Sequence, residues 1–218
     1  HLWTVVHSSS SVKDGEDWRI PYRKNAFTAL WHMVDGRIEI SIDGETVHAG
    51  PGSWVLLPTG VPFSARFAPG CRRHHTLFIR FTLYTRESID WFLLYRLPVL
   101  IAAEGPKAWT ATAREILRQM EHGLDSIRRM KANALLHGLL AEIVALRYGD
   151  IRPAPSERAR KVDQAYRLIR WMEHHLAESF TLADLAGQLH ASTDYVNDLF
   201  RTVTGQPPMQ YANRLRVR

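Results

Sequence analysis

Thr193, Asn197 and Arg201, near the C-terminus, have side chains that could read a nucleic acid. They recur four residues apart behind Ser192, so if Ser192 caps a helix they share its outward face. An Asn amide pairs two-pronged with adenine and a guanidinium with guanine, each good pair discriminating by roughly 1 to 3 kcal/mol. Asp194 and Asp198 stand among them. The first suits the amides at a helix start, and the second would accept from cytosine N4 or a neighbouring Arg. One Arg against two Asp cannot hold DNA by counterion release alone, so phosphate contacts are expected from Arg214, Arg216 and Arg218, with Ser192 at the helix start.

Positioning those groups takes a small helical core. Leu182, Leu185, Ala186 and Leu189 recur at helical spacing, and Tyr195, Val196, Leu199 and Phe200 give the next helix its own buried stripe. Two short helices joined by a polar turn follow, the pattern of a helix-turn-helix. A supporting helix is expected from Ala159 to Ser179, with Val162, Ala165, Leu168, Ile169, Met172 and Leu176 inward. Before it, Ile151-Arg-Pro-Ala-Pro resists helix and marks a domain boundary.

The front of the chain is β-rich. From Trp18 to Thr82, short apolar–polar alternations are separated by turn signals, which predicts antiparallel strands and a closed or nearly closed barrel. Asp43-Gly44 is a type I′ hairpin signal. Alternation places Phe27, Ala29, Trp31, Met33 and Asp35 on one strand face, and Thr76, Phe78 and Arg80 together on another. Ser8 to Ser11 reads as a flexible turn, and the apolar run Trp91 to Leu100, ended by Pro98, as a segment packed on the barrel. Helices are expected over Lys107 to His122 and Ser126 to Tyr148, broken at Gly123. Leu135, Leu136, Leu139, Leu140, Ile143 and Leu146 make the second stripe broader than one partner helix needs, which points to a homodimer.

Composition narrows the function. The 218 residues carry 45% hydrophobic content and a net charge of +6, which favours acidic partners. From Ile151 to Arg218 there are 10 Lys or Arg against 7 Asp or Glu, so half of the excess lies outside the C-terminal part. One cysteine, Cys71, excludes a disulfide framework and a thiolate cluster for zinc. With no apolar run of membrane length and no signal-peptide pattern, a cytoplasmic protein without a membrane partner is expected. The pairs His74-His75 and His174-His175 point their rings apart on a strand or helix, so neither presents two imidazoles to one metal ion. No Ser, His and Asp constellation can be placed, and neither catalysis nor a cofactor is expected.

Leu185-Ala186, Ser192, Leu199-Phe200, Gly205, Pro208, Tyr211 and Arg214 resemble the arabinose-regulator (AraC/XylS) family of bacterial transcription factors, whose DNA-binding domain holds two helix-turn-helix units joined by a helix. His190 stands where that turn usually has Gly, and Asp198 where a basic residue usually precedes Leu-Phe. Arg218 falls within the expected connecting helix, so the sequence is read as the first half of that domain, C-terminally truncated. Phe27 to Gly36, Asp43-Gly44 and Gly50 to Phe63 resemble the cupin barrel of many sugar-responsive members. The positions that hold metal in metal-binding cupins correspond to Arg23, Asn25, Ala29 and Phe63, of which only Asn25 could ligate, and poorly. The resemblance therefore implies a metal-free site. Arg23, Asn25 and Trp31 would converge on a small polyol, Met33 and Phe63 would line the interior, and Thr76, Phe78 and Arg80 would complete the site. Buried Arg23 and Arg80 would each need a partner.

The expectation is an α+β chain: residues 1–105 a cupin-like effector-binding barrel, 106–150 a two-helix linker and dimerisation element, and 151–218 an all-α partial DNA-binding domain. It would regulate transcription on duplex promoter DNA in response to a small effector, a carbohydrate. The alternatives are a metal-independent cupin enzyme or sugar-binding protein with a helical appendix, and a protein-interaction module that has lost DNA binding.

Overall fold

The structure, a computed structural model, describes residues 3–15, 17–25, 27–84, 89–121, 126–153 and 156–216. They form two compact units, and the chain is shared between them discontinuously. One unit comprises Leu2–Leu83 and Tyr95–Arg152, the other Tyr84–Leu94 and Pro153–Arg218.

In the first unit β1 (Trp3–Asp14), β2 (Arg19–Lys24), β3 (Thr28–Gly36), β4 (Ile38–Ile42), β5 (Glu45–Ala49), β6 (Trp54–Leu57), β7 (Pro62–Phe67) and β8 (Arg73–Tyr84) build two sheets. After α1 (Trp91–Leu94) and β9 (Tyr95–Arg96), β10 (Leu100–Ala102) adds a further edge. The sheet orders are β1-β8-β3-β6-β10 and β2-β7-β4-β5. Where a closed or nearly closed barrel was expected, the strands form a two-sheet sandwich with open edges, the jelly-roll solution to the same strand pattern. Ser8 to Ser11, expected as a flexible turn, lies within β1.

Local chemistry accounts for the turns. Asp43 and Gly44 have φ of 53° and 83° between paired Ile42 and Glu45, the two positive angles a type I′ hairpin requires. At Gly36, φ is 80° and a Cβ would lie 2.1 Å from the Arg73 carbonyl oxygen, so only glycine fits.

Between the sheets, Met33, Ile38, Ile40, Val55, Leu57, Phe63 and Ala65 form a core with essentially no solvent contact. His74 is buried within it, against Trp18 and Phe67. The Thr76 hydroxyl donates to Met33 Sδ (3.3 Å), so it accepts from His74 Nδ1 (2.9 Å), and His74 Nε2 is left as a buried acceptor with no partner. Burial, with Lys13 and His75 nearby, pushes the His74 pKa down to about 4.

Opposite the core, the outer face of the five-stranded sheet is covered by α2 (Lys107–Met120) and α3 (Ser126–Leu146). His32 stacks on Trp54 at 4.5 Å and bonds Thr110 Oγ1 through Nε2 at 3.0 Å. Trp109 meets Trp54 edge-on and donates its indole N–H to Glu142 at 2.6 Å. Burial also holds the His32 pKa below its ordinary value.

In the second unit α1, with Ile89 and Leu93, joins α4 (Ser156–His174), α5 (Leu182–Gln188), α6 (Thr193–Thr204) and α7 (Pro208–Arg216) in one core. The stripe Val162, Ala165, Leu168, Ile169 and Met172 faces inward as its period predicts, while Leu176 lies past the helix end and is half-buried. The start of the apolar run at 91–100 corrects the sequence expectation: α1 packs on α4 and belongs to the helical unit, not to the β-unit. Apolar composition specifies burial but not the partner.

Two predictions follow from this packing. Protonating His74 would bury a charged, unpartnered N–H. Between pH 6.5 and 4 the unfolded chain therefore binds the proton that the fold refuses, and stability falls as pH falls by roughly 3 kcal/mol. Urea unfolding across that range should show this slope, and His74→Leu should remove the His74 share and leave the contribution of His32, whose pKa is lowered in the same direction. Relief of the left-handed backbone at His190 (φ 50°) by His190→Gly should stabilise the helical unit by roughly 1 kcal/mol, read as a higher Tm.

Candidate functional site

Strand register decides which residues meet at the mouth of the sandwich. Arg23 pairs with Phe63, Ala29 with Arg80, Trp31 with Phe78, and Met33 with Thr76. With a side-chain period of two, Ala29, Trp31 and Met33 descend into the sandwich in step with Arg80, Phe78 and Thr76. Ala29 is the small residue of its layer, and the space it leaves is an open hollow of about 220 Å³ lined by Arg23, Lys24, Asn25, Phe27, Ala29 and Arg80.

The expected effector residues divide by depth. Arg23, Asn25 and Arg80 come together around the hollow. Trp31, Met33, Phe63 and Thr76 are buried beneath it, Trp31 at 7% exposure and Phe63 at none. Phe78 is half-buried. Trp31 lies edge-on to Phe63 (6.1 Å) and tilted against Phe78 (6.3 Å), so its indole is part of the floor. Arg23 and Arg80 are exposed, which corrects the expectation of buried cations needing partners: their guanidiniums rest on Phe63 (5.8 Å) and Phe78 (5.2 Å). Asn25 is partly buried and its Nδ2 has no hydrogen-bond partner. Lys24 and Phe27 were not among the expected site residues. Phe27 was legible from alternation, whereas Lys24 reaches the hollow only because β2 ends there.

Among the described residues no group of three His, Cys, Asp or Glu side chains could hold a metal ion, and no helix is long and apolar enough to cross a membrane.

In the helical unit both short helices carry the caps their composition asks for. Ser192 Oγ accepts from the Tyr195 amide at 3.2 Å. Thr181 and Asp184 form a reciprocal capping box at the start of α5, an S/T-x-x-acid signal present in the sequence but not used in reading it. The Thr181 amide and hydroxyl hold the Asp184 carboxyl below the usual carboxylate range. Thr193, Asp194, Asp198 and Arg201 are exposed on α6 and Asn197 is half-buried beside them. Tyr195 lies at its edge and donates to Gln164 Oε1 at 2.7 Å.

The expected phosphate-binding arginines differ in kind. The Arg214 guanidinium lies over Tyr211 at 5.1 Å. Arg216 rests on Phe180 (4.9 Å) and donates to the carbonyls of Glu178 (3.0 Å) and Leu176 (3.4 Å), so it closes the chain that follows α4. Most of its donors are committed inside the unit. Arg218 lies outside the described residues.

Residues 7–179 match the family described as AraC-binding-like domain. Over 65 residues, 30% of this chain, the sequence is 35% identical to the uncharacterized HTH-type transcriptional regulator YisR of Bacillus subtilis (strain 168), and the match spans 21% of that relative's length. Among solved structures, a cupin superfamily protein from Desulfitobacterium hafniense is similar over 37% of this chain and 76% of its own, at 16% identity and a TM-score of 0.30. The cupin domain of Schizosaccharomyces pombe Cnp3 is similar over 35% of this chain and 52% of its own, at 12% identity and a TM-score of 0.32. With the family match running from the first strand to the end of the supporting helix's loop, this chain belongs to the AraC-binding-like domain family.

Proposed function

We propose that this chain is the effector-sensing part of a transcription regulator together with a helix-turn-helix that contacts promoter DNA. The observation that carries the reading is the presence, in one AraC-binding-like chain, of a hollow rimmed by polar side chains and a capped helix pair whose second helix leaves Thr193, Asn197 and Arg201 at the surface. The effector binds at the mouth of the sandwich and biases the conformations of the chain, and with them the reach of the DNA-contacting helices. A carbohydrate effector, expected from an indole beside a guanidinium and an amide, would need an accessible face of Trp31, whose indole is buried and packed against Phe63 and Phe78.

The regulator acts as a homodimer through α3. Ile127, Met130, Ala134, Gly138, Ala141 and Ala145 recur at three- and four-residue spacing and all are exposed. Such a stripe lets two helices approach closely, and it is not the stripe the sequence suggested, of which Leu136, Leu139, Leu140 and Ile143 are buried within the chain itself.

Anisotropy titration of the chain with duplexes selected from a random pool tests the DNA reading. Asn197→Ala and Arg201→Ala should each weaken specific binding by about 5- to 150-fold, and unchanged affinity in both would refute it. Sedimentation equilibrium tests the dimer. A Cβ at Gly138 meets nothing within 4 Å, so Gly138→Glu should leave the fold intact and yield a monomer. A variant that sediments like the parent chain would move the interface elsewhere.

A further inference from the structure

The chemistry of the hollow specifies the ligand more closely than the family does, if the mouth is the effector site as proposed above. Arg23, Lys24 and Arg80 converge on about 220 Å³ of space, and none of the described side chains lining it is acidic. Elsewhere in the same unit arginines meet carboxylates: Arg66 with Glu39 at 2.7 Å, Arg118 with Glu115 at 2.7 Å, Arg147 with Asp150 at 3.3 Å, and Arg96 with Asp43. Among the described residues neither Arg23 nor Arg80 has such a partner, and each is supported only by the ring beneath it. Three like charges at one mouth repel, and a bound anion relieves that repulsion.

Donor and acceptor inventory points the same way. Guanidinium and ammonium groups donate and never accept, and the buried Asn25 Nδ2 adds an unused donor. A neutral sugar presents hydroxyls that need acceptors as well as donors, and the side chains here offer only the Asn25 carbonyl oxygen. A carboxylate or phosphate presents acceptors alone. The volume lies below the roughly 300 to 1,000 Å³ of sites for drug-sized ligands, so the molecule is compact. We propose that the mouth of the sandwich binds a small organic oxyanion, a carboxylate or phosphate on a short chain or single ring, held by Arg23, Arg80 and Asn25.

Matched pairs differing in charge provide the test, by calorimetric titration of the full chain at low salt: glucuronate against glucose, glucose 6-phosphate against glucose, and succinate against succinamide. At least one anionic member should bind about tenfold or more tighter than its neutral partner. Which anion responds distinguishes carboxylate from phosphate. Arg23→Ala and Arg80→Ala, both at exposed positions, should each remove that preference, while Arg66→Ala should retain it. Neutral members binding as tightly as anionic ones, with affinity lost on Arg80→Ala, would overturn the oxyanion and keep the effector site. Anion affinity that survives both mouth substitutions would place binding elsewhere and overturn both. Failure of every anion to bind at millimolar concentration would overturn the oxyanion.

Discussion

Three rings hold the two sheets together at the open end of the sandwich. Phe63 comes from the four-stranded sheet, Trp31 and Phe78 from the five-stranded one, and the indole contacts both phenyl rings. Large flat groups supply most of the buried area available in so narrow a space, and their edge-to-face contact fixes how far apart the sheets stand. Two consequences follow at once. Buried side chains occupy the core below, and the hollow opens above the seam, where Ala29 leaves room. The same rings present faces to Arg23 and Arg80, so the groups that define the mouth are oriented by the groups that close the core.

The helical unit solves a different problem, since α5 is only seven residues long and could not stand alone. Reciprocal capping by Thr181 and Asp184, the Ser192 cap and the Arg216 bonds to the chain after α4 satisfy backbone groups at the ends of these elements. With termini fixed in this way, Leu185, Val196, Leu199 and Phe200 need only modest buried area to set the crossing of the helices. The side chains left outside are the polar ones of α6.

Features encoded over a few residues were legible in the sequence. Asp43-Gly44 announces its hairpin, Ser192 its cap, and the 3.6 period of Val162 to Met172 its inward face, because each depends on chemistry within one turn. His190 was legible as a departure, and it adopts the left-handed backbone that glycine would take more cheaply. Depth was not legible. Alternation placed Trp31, Met33 and Thr76 on the interior face, but only the pairing of β3 with β8 reveals that they lie under the floor while Arg80 stays at the rim. Nor could sequence say that a polar serine run would be a strand, since that follows from an available sheet edge beside β8.

The helical unit is assembled from two separated stretches of chain. Ile89 and Leu93 share a core with Val162, Leu168 and Met172, although nearly sixty residues of the other unit intervene. A single break near Arg152 would therefore not liberate a self-sufficient C-terminal fragment. The released piece would leave two of its core side chains behind and expose an oily face on α4, and the remainder would carry an apolar stub with nothing to cover it. Evolutionary exchange of this module as a cassette would face the same difficulty, because its natural seams do not coincide with one point in the polypeptide.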